Sequence, residues 1–325
     1  MLPSAQLHFN KILLQWKQKP LNEVKTSFRP ALSYILLNKL RKKAWYMIIE
    51  KELSGIKKNV LLKNFTTFRI GGKTRYFFVA KTKEDLIKAI VAAKKVKLPF
   101  FILGGGSNVL VSDGGFKGLV IKYGQPLSSY ISKGLEWAAG IPGTIQGAIY
   151  GNAGAFGKSM KDVVREVEVF DVKTGKIKTL KNKDCRFSYR NSIFKKNKNL
   201  IILSVKIKTK KVNAGKIKQY LDYKKQNHPW NYPSAGSVFK NPDVGLGDED
   251  KSSSSTFAPS AARLIEACGL KGKRIGKAEI SKKHANFIVN LGGAKEKDVV
   301  KLINLAKKSV KKKFKINLQE EIQFL

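Results

Sequence analysis

LGGGSNVLV (103–111) sets three consecutive glycines between two apolar runs. FFIL (100–103) leads into it as a short buried strand, and VLV (109–111) leaves it as another. A glycine triplet lets backbone N–H groups line a concave nest, a shape that suits a pyrophosphate. A plain tight turn accounts for the same residues, and spacing alone leaves both readings open. The stretch is not the Gly-x-Gly-x-x-Gly dinucleotide fingerprint: that pattern is absent, and no helix follows directly. Upstream, YFFVA (76–80) has strand composition. Thr82 suits a helix cap, with Glu84 and Asp85 at the positive end of the helix. Leu86, Ile90 and Ala93 share one face, and Pro99 ends the run. Residues 76–103 therefore read strand, helix, strand.

Downstream the glycines continue. Positions 101–160 hold 14 of the chain's 27, with four Lys/Arg and two acids, so this part is only +2. GNAGAFGKS (151–159) invites comparison with a P-loop, but the first glycine that motif needs falls on Asn152, and a Walker-type ATPase is rejected. VREVEVFDV (164–172), a Thr-Gly turn at 174–175 and IKTL (177–180) read as a hairpin. LIILSVKIK (200–208) is a further strand, and the basic run 210–218 marks a candidate domain boundary. GLGDEDKSSSSTFAP (245–259) is low in complexity and reads as a mobile loop. Ser260 suits the cap of a helix that turns Leu264, Ile265 and Cys268 inward and ends at Gly269. FIVN (287–290) is a strand, and Val299, Ile303, Ala306 and Val310 give 296–314 an apolar helical stripe.

The chain has 325 residues, 64 Lys+Arg against 23 Asp+Glu, and a net charge of +41. With 42% hydrophobic residues it buries a core and is no disordered polycation. The charge calls for anionic partners: nucleic acid, a membrane surface or a phosphorylated small molecule. No apolar run reaches the roughly 18 residues of a transmembrane helix, and the N-terminus does not read as a signal peptide. Cys185 and Cys268 make neither a disulfide framework nor a Cys-rich zinc site. His8, His228 and His284 lack metal-ligand spacing, so no metal is expected. A cytoplasmic setting follows. Residues 1–46 hold nine Lys/Arg and one acid, and Pro3, Pro20 and Pro30 interrupt any long helix. They read as a poorly ordered basic extension, or as an upstream start that the cell does not use.

Three residues stand out singly. SYRNS (188–192) places Arg190 in a short polar turn, where it either clamps a carboxylate or makes an ordinary surface ion pair. PSAGSVFKNP (233–242) sets Ser237 behind a glycine with no evident histidine partner, so a turn hydroxyl is a plainer reading than a nucleophile. Glu321 belongs to no motif on its own.

Together, TTFRIGG (66–72), LGGGSNVLVSDGGFKGLVI (103–121), GLEWAAGIPGTIQGAIYGNAGAFG (134–157), YRNSIFK (189–195), PSAGSVFKNP, GLKGKRIG (269–276), KHANFIVN (283–290) and LQEEI (318–322) resemble the UDP-N-acetylenolpyruvoylglucosamine reductase family. They stand in that family's order between Asn59 and Leu325. The lack of an insertion after YRNSIFK resembles its shorter, second type. The resemblance implies an α+β flavoenzyme. A FAD-binding domain of the vanillyl-alcohol-oxidase (PCMH) type, in two subdomains, would span 47–210. A C-terminal α/β substrate-binding domain would span 211–325 and include a mobile loop at 243–259. The implied reaction is reduction of the enolpyruvyl ether of UDP-N-acetylglucosamine to UDP-N-acetylmuramate for peptidoglycan, with FAD bound and NADPH as hydride donor.

The resemblance also implies residue roles. The amides of Gly104, Gly105, Gly106, Ser107, Asn108 and Val109 would hold the FAD pyrophosphate. Gly140, Ile141, Pro142, Gly143, Asn152 and Gly154 would lie against the isoalloxazine. Arg190 would bind the enolpyruvyl carboxylate, and a protonated Glu321 would donate to it as charge develops. Ser237 would deliver the proton to C2 once hydride has reached C3. Tyr189, Lys240 and Asn241 join Arg190 as expected contacts of the UDP-sugar. A monomer is expected, with no specific nucleic acid and no membrane insertion.

Two departures from the family pattern matter. Between Ile121 and Gly134 the family has a longer stretch, including a strand and the start of a helix, where this chain has little more than YGQPLSSYISK. Two readings stay open: the loss removes a sheet element and exposes the flavin cleft, or it is an error in the sequence or gene boundary. Gln146 stands where the family has glycine; a positive φ there would strain it by about 1 kcal/mol or more. A degenerate, flavin-poor relative is therefore the second hypothesis. A basic nucleic-acid-binding protein is the third, but it calls for a compact basic patch with stacking aromatics, whereas the lysines are dispersed.

Overall fold

The computed structural model describes residues 47–242 and 260–325. The basic extension and the loop 243–259 expected from the sequence lie outside the described residues. Residues 47–52 are helical, and the described residues from 53 to 325 group as a separate compact unit.

The second unit opens with β1 (Lys57–Leu61), which pairs antiparallel with β2 (Lys73–Val79). α1 (Lys83–Lys95) starts with a full capping box: Thr82 Oγ1 accepts the Asp85 amide at 3.1 Å, and the Asp85 carboxylate accepts the Thr82 amide at 3.1 Å. Its buried face carries Leu86, Ala89, Ile90 and Ala93. β3 (Phe100–Leu103), β4 (Val109–Leu110) and β5 (Phe116–Lys122) follow. The sheet order is β1-β2-β5-β3, with β5 parallel to both neighbours. The glycine loop thus leaves the carboxyl end of a parallel strand, the place where open sheets of this kind put ligands.

The shortened stretch is folded. Leu127–Lys133 forms a 3-10 helix that buries Leu127 and Tyr130. α2 (Ile145–Tyr150) is capped by Thr144, whose Oγ1 accepts the Gly147 amide at 3.2 Å. Gln146 lies in the first turn of α2 and takes no positive φ, so the strain expected at this position does not arise. The local demand is helical, which glutamine meets as well as glycine or better.

β6 (Val164–Asp171), β7 (Lys176–Lys181) and β8 (Leu200–Ile207) form an antiparallel sheet in the order β8-β6-β7. Its inward Val167 and Val169 pack with Leu127, Trp137, Ile149 and Phe194. α3 (Ala214–Asn227) begins inside the run 210–218 that the sequence marks as a boundary. Its helical period is hidden because most of its faces are exposed and only Lys224 is buried.

The remaining elements are β9 (Ser234–Ser237), α4 (Ala261–Ala267), β10 (Arg274–Ile275), β11 (Ala278–Ile280), β12 (Phe287–Asn290), α5 (Glu296–Phe314) and β13 (Gln323–Phe324). The sheet β9-β12-β11-β10 is antiparallel throughout. Val299, Leu302, Ile303, Ala306 and Val310 of α5 pack with Leu264 and Ile265 of α4 against it, as the apolar stripe requires. The same core takes in Phe68, Ile70 and Leu110 from the N-terminal half. β13 pairs in parallel with β4, so the chain's last residues lie beside the strand that leaves the glycine loop. Among the described residues no helix is long and apolar enough to cross a membrane.

Candidate active site

A cavity of about 1100 Å³ runs along the glycine loop and between it, the turn 140–143, the start of β8 and the strand β9. It exceeds the roughly 300–1,000 Å³ of a pocket for one drug-sized ligand. Gly104, Gly105, Gly106, Ser107, Asn108 and Val109 all line it. Among the described residues no protein acceptor takes the amide hydrogens of residues 104–108. Unpaired amides in a row along a cavity form the nest a pyrophosphate requires. The triplet has to be glycine. A Cβ on Gly105 would run into the Cα of Gly143, and one on Gly106 into the Phe65 carbonyl. The two glycine loops therefore meet main chain on main chain. One lysine also reaches the loop: Lys122 Nζ donates to the Gly104 carbonyl, and burial lowers its pKa.

Gly140, Ile141, Pro142, Gly143 and Gly154 line the cavity as well. These features together fit FAD. Asn152 sits between two lining residues, Gly151 and Ala153. It is not part of the lining, and both ends of its amide are used within the protein. Nδ2 donates to the Ser188 carbonyl at 2.9 Å, and Oδ1 accepts the Lys161 amide at 2.9 Å. Its side chain braces the turn that carries Arg190 and is not free for a cofactor.

That turn is tight. Ser188 and Asn191 exchange main-chain bonds of 3.1 and 3.0 Å around Tyr189 and Arg190. Arg190 takes φ +51, a left-handed conformation that costs a non-glycine residue roughly 1–2 kcal/mol. Its Nη2 donates to the Gly154 carbonyl at 3.0 Å. Its Nε lies 2.8 Å from Glu321 Oε1, a charge pair that is not aligned as a hydrogen bond. Lys195 Nζ donates to the Arg190 carbonyl at 3.0 Å. Burial lowers the Lys195 pKa, and Lys240 adds to this while Glu321 opposes it.

Glu321 is fixed by its main chain. Its amide donates to the Val238 carbonyl at 2.8 Å, and its carbonyl accepts Asn108 Nδ2 at 3.1 Å. Asn108 therefore ties the glycine loop to the carboxylate wall. Ser237 is aimed by a bulge. β9 advances from Ser234 to Ser237 while β12 advances only from Val289 to Phe287, and Gly236 takes φ +76 between them. Bulges redirect side chains in this way. Ser237 lines the same cavity as Arg190 and Glu321.

Tyr189, Lys240 and Asn241 are not part of the lining. The Asn241 amide donates to Tyr189 Oη at 3.2 Å, and Arg190 Cζ sits 5.3 Å from the Tyr189 ring, so they form a rim beside the arginine. Sequence reasoning missed several lining residues. Thr67 Oγ1 donates to the Ser234 carbonyl at 2.7 Å and joins the glycine-loop side to β9. Lys224 is buried, with Nζ donating to the carbonyls of Trp137 at 3.3 Å and Ala139 at 2.5 Å. Burial pushes its pKa down to about 8. His228 is pushed down to about 4, by burial first and then by neighbouring His284. Nothing in the pattern of a lysine-rich helix marks Lys224 out.

The family model described as the C-terminal domain of UDP-N-acetylenolpyruvoylglucosamine reductase matches residues 228–325. The UDP-N-acetylenolpyruvoylglucosamine reductase of Anoxybacillus flavithermus is 36% identical over 307 residues, covering 86% of this chain and 97% of that one. This chain belongs to the UDP-N-acetylenolpyruvoylglucosamine reductase family. The Caldicellulosiruptor bescii reductase is 41% identical, over 81% of this chain and 88% of that one. The crystal structure of the Thermus caldophilus reductase matches with a TM-score of 0.65 at 31% identity, covering 82% of this chain and 97% of that one. The α+β flavoenzyme fold is the reductase family's. The A. flavithermus match runs over 307 residues but draws on only 86% of the 325 here, in keeping with a segment this chain lacks.

Proposed function

We propose that this chain reduces UDP-N-acetylenolpyruvoylglucosamine to UDP-N-acetylmuramate, with NADPH as reductant and FAD bound, in the cytoplasm, for peptidoglycan precursor synthesis. The observation that carries the reading is that Arg190, Glu321 and Ser237 line the same cavity as the glycine loop, with Arg190 paired to Glu321. Residues 47–210 hold the cofactor, and 211–325 supply the substrate-binding part. The amides of 104–108 take the pyrophosphate, and the glycines of 140–143 with Gly154 face the ring. Bound FAD supplies two-electron transfer from NADPH to the enolpyruvyl double bond.

The chain's own residues do the rest. Arg190, already aimed by the Gly154 carbonyl, pairs with the enolpyruvyl carboxylate. Negative charge grows on that carboxylate as C2 becomes carbanionic, and the guanidinium stabilises it most at that stage. Glu321, 2.8 Å from the Arg190 guanidinium, stands beside the same carboxylate. Ser237 Oγ gives its proton to C2, forming the new C–H bond, and regains a proton from solvent. Tyr189, Lys240 and Asn241 on the rim engage the sugar diphosphate. The net positive charge draws in both polyanionic ligands, so association weakens as salt rises.

The test is a coupled assay on the full chain reconstituted with FAD. NADPH should be consumed beyond one equivalent per flavin only when the enolpyruvyl UDP-sugar is present, and mass spectrometry should find a product heavier by two hydrogens. Flavin-loaded protein that consumes no NADPH on adding this substrate would refute the reading.

A further inference from the structure

The two departures from the family pattern meet at one place in the fold. β8 pairs on one side only, with β6. Its register slips between Ile202 and Ser204, which leaves Leu203 as the extra residue of a bulge. Leu203 is wholly buried. A buried carbonyl outside the ladder needs another donor. The Leu203 carbonyl has two, and both are side chains: Tyr123 Oη at 2.7 Å and Gln146 Nε2 at 3.3 Å. Tyr123 comes from the shortened stretch, and Gln146 is the residue that replaces glycine.

Gln146 also reaches the other way. Its Oε1 accepts the Gln125 amide at 3.0 Å. Tyr130 donates its hydroxyl to Gln125 Oε1. Main-chain bonds extend the link: the Ile145 amide to the Gln125 carbonyl at 2.9 Å, and the Leu127 amide to the Gly143 carbonyl at 3.0 Å. Gly143 is the residue against which Gly105 packs.

We propose that Gln146 and Tyr123 form a side-chain clamp that holds the shortened stretch against the bulge of β8 and sets the spacing of the two glycine loops. Both line the cavity themselves, and they also position the glycine loops through Gly143. The shortened stretch then closes the cleft wall. The idea rests on the proposed binding of FAD between these loops, but its test does not need the reductase reaction.

The experiment compares the full chain with Gln146→Leu, Tyr123→Phe and the double variant. Each single variant leaves the Leu203 carbonyl one donor; the double leaves it none. FAD dissociation constants are measured by flavin fluorescence well below the melting temperatures, with the visible absorption spectrum of bound flavin recorded alongside. Amide exchange of 122–147 is followed in the same samples. Each single change should weaken FAD about threefold. The double should weaken it at least about tenfold beyond the product of the singles, because a buried acceptor is then unpaired. The bound flavin spectrum should shift, and exchange at 123–127 and 143–145 should speed up together. Purely multiplicative effects, or lost thermal stability with unchanged FAD affinity and spectrum, would overturn the clamp. If wild-type protein binds no FAD, the proposed function fails by itself. The exchange data then decide: coupled acceleration in the double variant supports the clamp, and its absence overturns it.

Discussion

The two sides of the cleft use different parts of the polypeptide. The glycine side presents main chain: amides of 104–108, backed by a turn whose Gly143 touches Gly105. The reacting part of the lining presents side chains: Arg190 in a left-handed turn, Ser237 on a bulge, and Glu321 on the return toward β13. The first tolerates no added atom. The second tolerates the loss of an atom structurally but not chemically. The difference suits a cofactor that stays and ligands that exchange.

The sharpest way to separate the two sides is Ser237→Ala. Loss of a general acid typically costs about 10²–10⁴-fold. Stopped-flow traces should show substrate reduction slowed by that order while NADPH bleaches the flavin at nearly the wild-type rate. Equal slowing of both half-reactions would place Ser237 outside the proton step.

Gly105→Ala should act on the other side. Its Cβ meets backbone, which cannot yield as a flexible side chain does. Forced overpacking of about 1–3 kcal/mol corresponds to roughly 5–150-fold weaker FAD binding, read by flavin fluorescence. Wild-type affinity in this variant would break the main-chain description.

Asn152→Ala joins the comparison from between the two sides. Sequence resemblance puts Asn152 with the cofactor; its hydrogen bonds put it behind Arg190. The variant should lose about tenfold in kcat/KM for the UDP-sugar, as a buried amide bridge disappears, with flavin content unchanged. Loss of flavin with intact kcat/KM would restore the cofactor role.

The smallest effect is a pH dependence. Lys224 falls from its ordinary 10.5 to about 8 through burial. Between those values the unfolded chain holds a proton that the folded chain has lost, so this group makes stability rise with pH across that window. Urea midpoints at about pH 7.5 and about pH 9.5 should show the wild type gaining on Lys224→Met as pH rises. A gap independent of pH would contradict it.

What the sequence revealed was local. Thr82 and Asp85 cap α1 as their spacing implies, and the stripe from Val299 to Val310 faces a core. The glycine triplet stands where the strand pattern put it. What stayed hidden was either long-range or conformational. Asn108 meets Glu321 across 213 residues of chain, which no spacing rule reports. The bulge at Gly236 depends on the register with β12. Gln146 misled because a glycine in relatives says nothing of the φ adopted here, and a helical turn needs none.

The most direct test is a double-mixing anaerobic experiment on the FAD-loaded full chain. NADPH is added first, and the enolpyruvyl UDP-sugar second. Bleaching of the flavin followed by its full return on the second mix is the result this account predicts. Flavin that bleaches with NADPH and stays bleached after the UDP-sugar is added would contradict it.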